Sequence, residues 1–299
     1  MTVHDYIKLR YLMEKILIHD STSKRIAFIV LLLVGPVYAT TISPFKQEAY
    51  AHTFGGDESA SLISVIKILQ AEGVLVQTNL ASNLTLAQER AKAVVGIVSG
   101  NHTFGVLPNE VSEKNKRVAA DIVSSANAVQ TAVKSTTAPT QADVKAKIDN
   151  LNATLQEAVA VRIPKDHVNY ATINGEATKN LAYETLRQYG YALGISSGKE
   201  GNTSAPAIFA DAASHHSVVN MSAYQSAQAL ASQAQEMVTQ TKTLLPSNKT
   251  SATTSTLFKV ANDLSQLKNI IETKSPYDKV SSLVQMTIYP DLDVAFHMK

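Results

Sequence analysis

The chain has 299 residues, a formal charge of +2 and neither cysteine nor tryptophan. The lack of cysteine excludes disulfides, thiolate metal sites, iron–sulfur clusters and cysteine nucleophiles. Six Lys/Arg and four Asp/Glu lie between Met1 and Ala51, and 21 of each follow, so the body is neutral and lacks the clustered basic face that nucleic acid requires.

Apolar residues make up 45% of the chain and aromatics only 6%. Small and aliphatic side chains with few Gly and Pro predict long helices rather than a β-sandwich. Lys24-Arg25 precede a 14-residue apolar run, Ile26 to Ala39, shorter than the roughly 20 residues that span a bilayer. A positive flank, a short apolar core and small residues after it predict a secretory signal peptide. Cleavage is expected after Val37-Tyr38-Ala39 or Ala49-Tyr50-Ala51, and Met13 is an alternative start. Extension through Ala39-Thr40-Thr41-Ile42 would instead make the run an uncleaved anchor. Residues 1–51 are therefore read as a leader, and the protein is expected outside the cytoplasmic membrane.

Beyond the leader, apolar residues recur every three or four positions. Leu62, Ile66, Leu69, Gly73 and Val76 form the first stripe. Val118 to Val133, Val144 to Val159 and Ala182 to Leu193 repeat the pattern. The longest stripe runs Val219, Ala223, Ala227, Leu230, Ala234, Met237, Thr241 and Leu244, and Leu257 to Ile271 closes the series. Each puts one apolar face on a helix, and no stretch alternates with period two for more than a few residues. Thr140 is expected to cap a helix beginning at Gln141 and ending before Pro164. Pro246 is expected to end the Ala-rich helix, and Ser275 to cap a helix with Pro276 at its first position. The polar stretch Ser196 to Ala205 reads as a linker. The expected fold is all-α, an antiparallel bundle of about seven or eight helices. It comprises a bundle over 52–195 and a C-terminal unit over 206–299, the latter free to pack into the same bundle.

Asn-x-Ser/Thr triplets begin at Asn83, Asn101, Asn152, Asn202, Asn220 and Asn248. All follow the leader, as glycosylation acceptors of an exported protein would, although a Ser/Thr-rich surface also makes such triplets by accident. His52-Thr53-Phe54-Gly55 recurs as His102-Thr103-Phe104-Gly105. Each copy precedes acidic residues at an expected helix start. His52 and His102 with Asp57, Glu58 and Glu110 would make a mixed nitrogen and oxygen site for copper or another divalent metal. The positive end of a helix opposes a cation there. No HxH, HExxH or ExxH spacing is present, nor any hydrolase or nucleotide-binding motif. Tyr170, Tyr183, Tyr189 and Tyr191 are read as core residues with surface hydroxyls, an aromatic ligand platform being the alternative.

The stretch Ala51-His52-Thr53-Phe54-Gly55-Gly56-Asp57-Glu58-Ser59-Ala60-Ser61 after an export leader resembles uncharacterised secreted helical proteins of ammonia-oxidising archaea. The run Tyr183 to Gly194 (YETLRQYGYALG) has the same character. The resemblance implies a location between an archaeal membrane and its surface layer, and a copper-rich setting. It implies no activity and no binding residues. The expected function is binding or scaffolding outside the membrane without catalysis and without a cofactor. The expected partners are proteins and, through an uncleaved leader, the membrane. The alternative is an extracytoplasmic metal-binding or ligand-sensing protein.

Overall fold

The longest apolar segment of the body lies at the centre of the molecule. In the computed structural model, residues 58–100, 107–134, 139–163, 170–195, 217–244 and 251–298 are described, and all belong to one compact unit. The leader, both His-Thr-Phe-Gly copies and the expected linker lie outside the described residues. Helix α1 (Glu58–Leu80) buries not one stripe but most of its circumference, Leu62, Ile63, Val65, Ile66, Ile68 and Leu69 among them. By length and composition it alone among the described helices is able to cross a membrane, yet 72% of its apolar window is buried inside the protein. It is the core helix of the bundle.

The other helices wrap it. Helix α2 (Leu84–Val98) returns along α1, started by Asn83, whose side chain accepts from the Leu86 amide at 3.0 Å. The short α3 (Leu107–Ser112) packs on α4 (Lys116–Lys134), which begins at an Asn115 cap. Helix α5 (Gln141–Arg162) starts as expected at Thr140. The Thr140 hydroxyl accepts from the Asp143 amide and donates to its carboxylate. Helices α6 (Tyr170–Ala192) and α7 (Met221–Leu244) form the most extensive pair, allowed to approach closely by the buried Ala223, Ala227, Ala231 and Ala234. Helix α8 (Ser251–Glu272) packs on α7. Among the described residues there is no strand, and helices from both sides of residues 196–216 share one hydrophobic core.

The chain after α8 departs from expectation. Ser275 does not cap the next helix: Pro276 holds the cap position, and its carbonyl accepts from Lys279 and Val280. The Ser275 carbonyl instead accepts from the buried Tyr189 hydroxyl. Helix α9 (Tyr277–Leu283) passes through a π turn (Val284–Ile288) into α10 (Tyr289–Phe296). Pro290 has no N–H to offer the Met286 carbonyl, and the Tyr289 amide reaches back to Val284 instead.

Phe296 closes the core by lying over Gly175 of α6. A Cβ at Gly175 would sit 2.4 Å from Phe296 Cγ and 2.7 Å from its Cβ, so rotating the ring cannot relieve the clash. In an unconstrained helix interior Gly→Ala stabilises by about 1 kcal/mol. Gly175→Ala is instead expected to destabilise the protein by about 1–3 kcal/mol through overpacking, measured by urea denaturation. A gain in stability would show that α10 does not seat on α6.

Candidate functional site

Polar residues on an enclosed helix need partners, because an unpaired polar group away from water costs on the order of 1–3 kcal/mol. Three of those on α1 are answered by other helices. Ser64 accepts from Asn180 of α6 at 3.1 Å. Glu72, 6% exposed, pairs with Arg90 of α2, 2% exposed, at 3.1 Å, and accepts from the Ser226 hydroxyl of α7 at 2.6 Å. Arg90 also donates to Ser226 and to the Ser222 carbonyl. Asn79 and Gln225 exchange amide hydrogen bonds of 2.9 and 3.1 Å. These clusters fasten α1, α2, α6 and α7 together.

Lys67 is the exception. It stands on the side of α1 where the wrap opens into a cleft of about 520 Å³ between α1, α5, α6 and α7. Gln70 of α1, Asn152 and Gln156 of α5, and Gln233, Glu236 and Gln240 of α7 line it, over an apolar floor that includes Ile63 and Ile66. Lys67 makes no hydrogen bond or ion pair with any described residue. Burial holds its ammonium below the usual lysine range, and the Glu236 charge only partly offsets this. Glu236 accepts from Gln240 at 2.8 Å. Asn152 Oδ1 and Gln233 Oε1 are buried with no hydrogen-bond partner among the described residues. Lys67 and Glu236 are the ionisable side chains among the residues lining the cleft, and no aromatic lines it.

A second ionisable group sits at the C-terminal end. Burial, then hydrogen bonding and charge from Asp291, push the Asp263 carboxyl up to about 6, while Lys259 donates to Asp291 at 2.9 Å. The pair is a contact between α8 and α10.

The sequence-predicted residues fall elsewhere. His52, Asp57 and His102 lie outside the described residues. Glu58 opens α1 and pairs with Arg162 at 2.9 Å, and Glu110 lies in the first turn of α3. Among the described residues no three His, Cys, Asp or Glu gather as metal ligands. Asn83 and Asn220 are exposed and act as helix caps, a role that by itself accounts for asparagine there. Asn152 is mid-helix with its side chain lining the cleft, so it reads as a cleft residue. Asn101, Asn202 and Asn248 lie outside the described residues. Of the tyrosines, Tyr189 does not keep its hydroxyl at the surface: it is buried and capped by the Ser275 carbonyl. Tyr191 lies beside Arg187, which donates to its hydroxyl at 3.1 Å, and Tyr183 packs partly buried against the core. None of these three lines the cleft.

No family model, no curated protein and no solved structure matches this chain.

Arg90→Met strands a buried Glu72 and is expected to cost about 3–5 kcal/mol. Adding Glu72→Met should recover part of that loss, read in a urea double-mutant cycle; additive losses would contradict the pairing. Asp263 binds its proton more tightly folded than unfolded. Stability should therefore fall as pH rises from about 4 to about 6. Asp263→Asn should remove that component, so thermal melts must show the variant gaining on the parent between pH 4 and pH 7. An unchanged difference would contradict the shift.

Proposed function

We propose that the chain is an exported, non-catalytic binding protein that takes a small polar ligand in the cleft between α1, α5, α6 and α7. The observation that carries this reading is Lys67, a half-buried ammonium without a partner among the described residues, set in a cleft lined by amides. Burying a charge unpaired is costly, and a ligand anion would relieve that cost. The volume is that of a small-molecule site. The Glu72–Arg90 cluster does not support catalysis, because its groups are bonded to one another away from the cleft. The metal alternative rests on His52, His102, Asp57, Glu58 and Glu110; of these Glu58 and Glu110 are described, and Glu58 pairs with Arg162.

Export rests on Lys24-Arg25 and the apolar run Ile26 to Ala39. Cell fractionation should recover the protein outside the cytoplasm, and a soluble cytoplasmic pool would contradict export. Thermal-shift screening of the purified protein against amino acids, organic acids and sugars should find at least one class that raises the melting temperature. Gln156→Trp, which fills the cleft from an exposed position on α5, should abolish that shift. A shift that survives Gln156→Trp, or no shift with any class, would contradict the cleft as the binding site.

A further inference from the structure

The cleft has an unequal set of hydrogen-bonding groups, and the inequality specifies its ligand. On one side Lys67 supplies only donors, and no described residue accepts from them. On the other, α5 and α7 supply acceptors. The Glu236 carboxyl lines the cleft, and the oxygens of Asn152 and Gln233 are buried without a donor among the described residues. The two charges do not close into an ion pair. Glu236 is engaged by Gln240, and Lys67 remains across the cleft. A neutral polyol would answer the amide oxygens but leave Lys67 desolvated and unpaired. A simple anion would answer Lys67 but place a second negative charge near Glu236 and leave both amide oxygens without donors. A nucleobase or a sugar face would find no aromatic side chain to stack on.

We propose that the cleft binds a zwitterion of the amino-acid or short-peptide type. Its carboxylate lies against the Lys67 ammonium and its own ammonium against the Glu236 carboxylate, while the buried Asn152 and Gln233 oxygens reach it by rotation of their side chains. An ammonium offers three N–H donors, and the Glu236 carboxylate, which accepts one bond from Gln240, has acceptor capacity left for it. Charge-assisted bonds of this kind are the stronger class. Gln70 and Gln156 line the remaining space and offer both donors and acceptors to a polar side chain or a peptide bond. This inference rests on the cleft being a ligand site.

Isothermal titration of the purified full chain separates the two ideas. The probes are L-glutamine, glycyl-L-glutamine, N-acetyl-L-glutamine, L-glutaminamide and glucose. L-glutamine or the dipeptide should bind, and blocking either end should weaken binding at least tenfold. The free amino acid binding more tightly than the dipeptide would fix the first source, and the reverse the second. Lys67→Met should weaken the zwitterion at least tenfold while leaving the already weak L-glutaminamide unchanged. Glu236→Gln should do the same relative to N-acetyl-L-glutamine. Circular dichroism melts must show both variants folded. Glucose or a capped probe binding as tightly as the zwitterion, lost in Gln156→Trp but indifferent to Lys67→Met, would overturn the zwitterion and leave the cleft standing. Absence of binding by every probe would overturn the zwitterion, whereas the cleft itself falls only if the wider thermal-shift screen is also silent.

Discussion

Everything in this fold depends on enclosing α1. A helix apolar around most of its circumference has no face to turn to water, so it must be wrapped on all sides or placed in lipid. Here α2, α5, α6 and α7 do the wrapping. The interior is then committed to answering each polar group that α1 carries. Ser64, Glu72 and Asn79 lie along it, and each meets a partner from a different helix: Asn180, Arg90 and Gln225. A buried polar pair is poor evidence of net stabilisation. Its effect is on register, since sliding α7 along α1 by one turn would unpair Gln225 and Ser226 together.

The same rule gives the cleft its meaning. Lys67 lies one and a half helical turns from Glu72 on the same enclosed helix, but no helix brings it a partner. The bundle opens there, and the walls opposite carry amides and one carboxylate beside Val159 and Met237. A chain that pairs Ser64, Glu72 and Asn79 on α1 and leaves Lys67 facing open volume is arranged for something that arrives from solution.

The fold was largely legible because helical periodicity is strong. Every residue of the stripes Val118 to Val133 and Leu257 to Ile271 is buried, and Thr140 caps α5 as its position suggested. Three features were not legible, each for a physical reason. Reading one stripe on α1 missed its second buried face, because Lys67, Gln70 and Glu72 look like a solvated side until the helix is known to be central. The end of α8 hid Ser275 as a carbonyl acceptor for Tyr189, a tertiary contact over 86 positions that no local pattern records. The cleft was invisible because its residues come from separated segments. Asn152 and Gln156 on α5, and Gln233, Glu236 and Gln240 on α7, each repeat at helical spacing. Only the antiparallel crossing of α7 on α1 brings them to Lys67. Asn152, which opens one of the six Asn-x-Ser/Thr triplets, is in the fold also a wall of the cleft.

The central claim is that α1 is the enclosed axis of a folded bundle, and native-state hydrogen exchange of the purified protein tests it directly. Amides from Ser64 to Val76 should exchange only through global unfolding, with opening free energies equal to the stability measured by denaturation. Faster exchange in this segment than at the centres of α4 and α8, through local opening, would show that α1 is peripheral and would remove the basis for both its polar clusters and its cleft.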